Sequence, residues 1–453
     1  MKSITHQSAQ PEELSLLIQT FYSSFQLNKI AKKANFTKLK GFSFELLFCF
    51  LISTIFSCQS TFRHYLKNQE SLAFSDKTFR NLMNDGRINW QSFLLQVSQK
   101  VAAYFGTLTN DSRKNVFIID DSMYERPNGK KVELSALQFD HAKHRWTRGF
   151  RFLTLGWSDG NSVLPVSFSL LSGKKNQVKP STYDQRSNSG KRKAQALRKG
   201  TEVAIELLAS ALKTGHQADY VLFDSWFFSP KMFRNIRQLE LHSIAIVKRS
   251  CKFYYEFNGK KMDVKEIFRS EKKRRGRSRY LLSVMASAVF EDGEKLPIKL
   301  VYVRNRSNRK DYLVLASTDV TLDEDEIIRL YGKRWSIEVY FKMCKQYLHL
   351  SKYQGIIYDG IFAHTVLVAI SYMLLSLRQR EEVDDRTIGE LFYLTVDELA
   401  DLTFVEAIRL LITLFQESFS SELILDAIVL DNILEQFMNQ LPKSVQKQIT
   451  STV

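Results

Sequence analysis

Apolar residues recur at helical spacing through the first quarter of the chain. LSLLIQTFYSSF, the run FSFELLFCFLISTIFSC at 42–58 and FSDKTFRNLMNDGRINWQSFLLQVSQKVAAYF each return them every three or four positions, which predicts helices from residue 1 to about 110. Asp76 offers a cap-type residue before one of these, and Asn84, Asp85 and Gly86 offer a break after it. From residue 116 the pattern shortens. VFIIDDS is an apolar run closing in carboxylates, and RFLTLGW and SVLPVSFSL follow with a turn signal between them at Asp159, Gly160 and Asn161. These three segments predict a meander, whose third strand carries Pro165 and so lies at an edge or a bulge. A basic polar stretch at 174–198 leads into a helix expected over 191–213. DYVLFD then reads as a strand, SPKMFRNIRQL as a helix and HSIAIVK as a strand.

That order, β-β-β-α-β-α-β, is the order of a ribonuclease H-like domain. The alternation stops at residue 248. KFYYEFNGKKMDV, RYLLSVMASAVF, LPIKLVYV and DYLVLAS are strand-like, separated by the EDGEK turn and the run EKKRRGRSR. Helix is expected again from Asp323 through Tyr347, and an apolar helix over 361–378. The expected fold is therefore α/β, a ribonuclease H-like core interrupted by a mostly β insertion and flanked by helical regions. Its divisions are 1–75 (helical), 76–112 (helical lead-in), 113–247 (first part of the core), 248–325 (β insertion), 326–378 (final part of the core) and 379–453 (C-terminal helical region). The 42–58 run approaches membrane-span length, but Glu45 lies inside it and Lys38, Lys40 and Arg63 lie close by, so a buried helix is expected.

Charge narrows the function. Lys and Arg total 65 against 48 Asp and Glu, a formal +17, with a pI near 9.5. An excess of that size points to a polyanionic partner, because each neutralised phosphate releases condensed counterions. Lys32, Lys33, Lys38, Lys40, Arg63 and Lys67 give the N-terminal helices either a DNA-binding face or a solvated basic one, and both readings stand. Cys49, Cys58, Cys251 and Cys344 show no paired or zinc-type spacing, which implies a reducing compartment and no structural metal. MKSITHQSAQP has no apolar core of a secretory signal, so a cytoplasmic protein without membrane attachment is expected.

The acids carry the candidate chemistry. Phosphodiester chemistry with two divalent ions needs carboxylates that converge from separate elements. Asp120 and Asp121 close one apolar strand and Asp224 closes another, although an Asp at a strand end also serves as a turn cap. YGKRWSIEVYFKMCK is more specific. Tyr331, Arg334, Glu338 and Lys345 fall within roughly 60° of arc on a helix, with Val339, Tyr340 and Met343 on the far side.

This segment resembles the Y-(2)-R-(3)-E-(6)-K signature of DDE transposases from bacterial insertion sequences, specifically the insertion-sequence-four-like branch with a β insertion before the glutamate. The Asp120-Asp121-Ser122 and FDSWFFSP segments resemble that family's two aspartate segments, and the likeness spans roughly residues 75–378. It implies that Asp120, Asp224 and Glu338 hold two Mg²⁺ ions, for which Mn²⁺ can substitute. Asp120 is favoured by the family's Asp-x-Ser/Thr pattern, with Asp121 as the alternative ligand. It further implies that Tyr331, Arg334 and Lys345 contact phosphates beside the cut. The partners would be the terminal inverted repeats of the element and target DNA, bound by a homodimer that excises by cut-and-paste. The basic run of Lys272, Lys273, Arg274, Arg275, Arg277 and Arg279 is expected as an exposed hairpin tip or mobile loop, either merely solvated or lying along the DNA backbone near the cleaved end. A ribonuclease H-like nuclease or resolvase that cuts without joining, and a catalytically silent DNA-binding protein, are the alternatives.

Overall fold

The computed structural model describes residues 11–36, 41–57, 60–109, 113–249, 253–275, 278–305 and 311–381. Six helices come first: α1 (Pro11–Ser24), α2 (Leu27–Lys33), α3 (Phe44–Phe56), α4 (Thr61–Lys67), α5 (Asp76–Asn84) and α6 (Trp90–Thr107). The apolar run at 42–58 becomes α3, whose N-terminus is capped by the Ser43 hydroxyl, accepting from the Leu46 N–H at 3.2 Å. Leu47, Phe48, Leu51, Ile52 and Ile55 of α3 are buried, and Phe44 and Phe48 pack on Phe93 of α6, so this run is an internal helix. Lys38, Lys40 and Cys58 lie outside the described residues, as does Cys251; Cys49 and Cys344 are free thiols. Helix α5 starts at Asp76 with Ser75 in the cap position, so Asp76 is a first-turn acid pairing with Arg80 at 3.3 Å rather than the cap itself.

The sheet begins with β1 (Val116–Glu125), β2 (Ala136–Asp140), β3 (Arg145–Ser158) and β4 (Val163–Leu171). Strand β3 is antiparallel to β1 along one edge. Its other edge pairs first with β2 and then with β4, so the expected three-strand meander carries an extra hairpin strand. LQF within β2 is too short a run to have stood out. Pro165 lies opposite Gly156 on the outer strand, where the β3–β4 register shifts, as its missing N–H requires.

Helices α7 (Asn188–Ala196) and α8 (Gly200–Thr214) then cross to β5 (Tyr220–Phe223), which is parallel to β1. The single helix expected over 191–213 is thus two. The Ala196 carbonyl is taken by the Ser172 N–H at 2.8 Å and Lys199 is extended, so the chain turns before Gly200. Helix α9 (Pro230–Arg237) leads to β6 (His242–Ile246), parallel to β5.

The 248–325 segment supplies β7 (Tyr255–Phe257), β8 (Lys260–Met262), α10 (Val264–Ser270), β9 (Tyr280–Val289), β10 (Lys295–Arg304) and β11 (Tyr312–Ser317). Its strands do not form a detached sheet. Strand β11 pairs antiparallel with β6, giving one mixed sheet in the order β2-β3-β1-β5-β6-β11-β10-β9-β7-β8, with β4 beside β3. Helix α10 was not expected; a capping box at Asp263 and Glu266 starts it.

The chain continues with α11 (Glu324–Gly332), a 3₁₀ turn at Lys333–Trp335, α12 (Ser336–Gln346) and α13 (Tyr358–Glu381). The helix expected from Asp323 to Tyr347 is broken by that tighter turn. Ile337 of α12 lies over Gly156, whereas the next residue, Trp157, donates its indole N–H to the Gln217 carbonyl beyond α8 at 2.9 Å. Neighbouring strand residues face opposite ways, so α8 and α12 cover opposite faces of the sheet. Helix α13 is long and apolar enough to cross a membrane, but 94% of its apolar window is buried inside the fold. Buried ion pairs fix its N-terminus: Asp359 to Arg192 at 2.5 Å and to Lys193 at 3.7 Å. Residues beyond 381 of the expected C-terminal helical region lie outside the described residues.

Candidate active site

Strand β1 lies between β3 and β5, so Val116 to Ile119 are buried from both sides, and the first polar side chains emerge at Asp120 and Asp121. Their alternation separates them. Asp120 faces the turn before α12, where Arg334 Nη1 donates to its Oδ2 at 2.7 Å. Asp121 pairs instead with Arg151 Nε of β3 at 2.9 Å. Ser122, two residues past Asp120 and so on the same face, accepts from Lys345 Nζ at 2.6 Å.

Arg334 is the hinge of the arrangement. Its second nitrogen, Nη2, donates to Glu338 Oε1 at 2.9 Å, so one buried guanidinium holds a carboxylate from β1 and another from α12. Its central carbon lies 6.0 Å from the Tyr331 ring and 5.1 Å from the exposed Trp335 ring. Burial raises the Tyr331 phenol above its usual range, against the opposing pull of Arg334. Glu338 is more open than the two charged groups it joins, Arg334 and Asp120, with 44% of its side chain exposed. Lys345 is half-buried, and that desolvation lowers its ammonium pKa.

Asp224 follows β5 directly and sits at the same end of the sheet, since β1 and β5 are parallel. Its Oδ1 accepts from the backbone N–H groups of Trp226 at 2.9 Å and Phe227 at 3.4 Å, so it does cap a turn. It also acts on its neighbours: burial first, and then the Asp224 charge, push the Asp120 carboxyl up to about 7 against the pull of Arg334. Burial likewise raises Asp121, with Arg151 opposing. Carboxylates at the ends of two adjacent parallel strands are oxygen donors of the kind hard divalent cations take. Among the described residues no three His, Cys, Asp or Glu side chains are gathered around one ion-sized point, and Glu338 is engaged by Arg334.

Of the far-side residues on α12, Tyr340 and Met343 are buried as expected, while Val339 is 52% exposed. The basic run is a loop from α10 into β9 rather than a hairpin tip. Lys273 lies over Phe268, Arg274 stacks on Tyr280 and its N–H donates to the Leu281 carbonyl, and Arg279 pairs with Asp325 at 3.7 Å. Lys272, Arg274 and Arg275 are exposed, and Arg277 lies outside the described residues. Among the described residues, none of these partners of the loop is one of the three acids. Arg151 escaped the sequence reading; its signal is a cation at the head of the apolar RFLTLGW run.

A family described as DDE superfamily endonuclease matches residues 66–298, just over half of the 453-residue chain. The matched span takes in Asp120 and Asp224 and ends before Glu338. No curated protein matches the chain.

Proposed function

The chain belongs to the DDE superfamily endonucleases, nucleases that act on DNA and generally use divalent metals, and from that premise we propose that it is the transposase of a bacterial insertion sequence. It binds the terminal inverted repeats as a homodimer, cleaves the ends and joins them to target DNA by cut-and-paste, acting in the cytoplasm. The observation that carries this reading is the Arg334 bridge from Asp120 to Glu338, with Lys345 reaching Ser122 on the same strand face. The bridge ties the Y-R-E-K helix to the Asp-x-Ser strand. The order β4-β3-β1-β5-β6, with β1, β5 and β6 parallel, supports a ribonuclease H-like core, and the 248–325 strands that extend it support the insertion.

Asp120, Asp224 and Glu338 would hold two Mg²⁺ or Mn²⁺ ions, which when bound activate a water or a 3′-hydroxyl and stabilise the leaving oxygen. Asp120 is the ligand on β1 in this account, because it shares Arg334 with Glu338, whereas Asp121 is engaged by Arg151. Arg334 keeps the acids of β1 and α12 in register. Tyr331, Arg334 and Lys345 present hydrogen-bond donors to phosphates beside the cut, Arg as a fork and Lys as a point charge. Lys272, Lys273, Arg274 and Arg275 lie along the DNA backbone. The test is a joining assay with pre-cleaved end duplexes, a supercoiled plasmid and Mg²⁺. The transposase reading expects end-to-plasmid products dependent on the terminal 3′-hydroxyl. Nicking without joining would assign the chain to nucleases that cut only.

A further inference from the structure

The sequence FDSWFFSP places three aromatic residues after Asp224, and the structure treats them differently. Phe227 and Phe228 are buried at 1% and 2% exposure, whereas Trp226 is 50% exposed. Burial of an indole is among the larger apolar contributions a side chain can make, and at Trp226 half of it is forgone. The ring is nevertheless held firmly. Its backbone N–H donates to Asp224 at 2.9 Å and its carbonyl accepts from Lys248 Nζ at 3.2 Å. The Arg151 guanidinium lies 4.8 Å from the ring centre and Lys248 Nζ 5.5 Å from it, both within cation–π range.

Other rings continue from it. His141 is 6.1 Å from Trp226, Phe139 is 5.1 Å from His141, and Trp146 is 5.6 Å from Phe139. The last three belong to the β2–β3 hairpin, the addition to the core meander. Trp146 is 53% exposed and carries Lys175 Nζ 4.2 Å from its centre. Between the rings and β1 opens a cavity of about 400 Å³, lined by Asp121, His141, Lys143, Arg151 and Lys345 among others.

Two exposed indoles joined through His141 and Phe139, flanked by cations and starting beside an acid of the site, are features that a single nucleic-acid strand recognises. Bases stack on the rings and phosphates meet the cations, without dependence on sequence. A duplex cannot use such a row, since its bases are already stacked within the helix. We propose that Trp226 and Trp146 mark the two ends of a path for unpaired DNA, leading from the phosphate at Asp120 and Asp224 out over the β2–β3 hairpin. The path rests on the nuclease reading above and adds the form of DNA that the site holds: a strand parted from its complement at the point of cutting.

The test uses the full chain in metal-free buffer, with end duplexes that are blunt or carry a short or a longer single-stranded overhang, and 2-aminopurine in the overhang as a stacking reporter. Wild type is expected to prefer overhang to blunt DNA by about tenfold, the scale of one aromatic–base stack. Trp226→Ala should erase the gain from the first overhanging nucleotides together with the reporter's change. Trp146→Ala should erase only the added gain from the longer overhang, and Trp226→Phe should keep part of the preference. Blunt-duplex affinity should stay at the wild-type value in all three. An unchanged preference in both alanine variants, or no preference in wild type, overturns the path. An equal loss on blunt and overhang DNA also overturns it, and leaves the indoles as props for Arg151 and Lys175. Failure of wild type to bind any of the DNAs would instead strike the parent reading.

Discussion

Asp120 and Asp121 are adjacent and chemically identical, and their separation comes from strand alternation. A sequence shows that one of the pair must face away from the other, but not which side of the sheet α12 will cover. The structure settles the neighbours: Arg334, which also holds Glu338, beside Asp120, and Arg151 beside Asp121. The pairing of Arg334 with Glu338 was legible because side chains four apart on a helical turn meet, whereas the break that puts Tyr331 on α11 and Lys345 on α12 was not. Arg151 was not, since a cross-strand partner depends on a register no spacing reveals. Substituting the two acids separately should tell them apart. Asp120→Asn should lower Mg²⁺-dependent cleavage by roughly a thousandfold, as expected for losing several kcal/mol of metal-borne stabilisation. Asp121→Asn should cost about 10- to 100-fold at most, the usual price of a supporting partner. Rates on one end substrate check this, and equal losses would contradict the assignment of Asp120.

At the scale of elements, strands with strong apolar runs were read well and helix interruptions poorly. DYVLFD, HSIAIVK and DYLVLAS became β5, β6 and β11 because buried strands in a mixed sheet are apolar on both faces. The break between α7 and α8 comes from a tertiary hydrogen bond to Ala196, and the 3₁₀ turn before α12 leaves no Pro or doubled Gly as a mark. Strand β2 owes its existence to β3, its only pairing partner among the described residues. The basic loop between α10 and β9 was recognisable as exposed, although aromatic rings at Phe268 and Tyr280 hold part of it in place. Neutralising Lys272, Lys273, Arg274 and Arg275 to Gln should weaken DNA binding on all sequences alike. It should also flatten the log–log salt dependence by roughly one unit per lost phosphate contact. Affinity titrations across a salt series measure this, and a slope equal to that of the parent would assign the run to solvent.

Over the whole molecule, what the sequence could not reveal is continuity. Strand content over 248–325 was plain, yet its pairing to β6 through β11 is a long-range choice, and it gives one sheet from the outer edge of the meander to β8. Charge, by contrast, is a global property visible at once: +17 spread over 453 residues supplies a DNA-binding contribution that no single site residue controls. Binding and chemistry should therefore separate. The most direct test is Asp224→Asn, assayed on one preparation for cleavage of end DNA in Mg²⁺ and for affinity by gel shift. The account predicts that cleavage is abolished while affinity stays equal to wild type or rises slightly, because a negative charge has been removed from a phosphate site. Full cleavage by the Asn variant would reduce Asp224 to the turn cap it also is, and would contradict the assignment of this site.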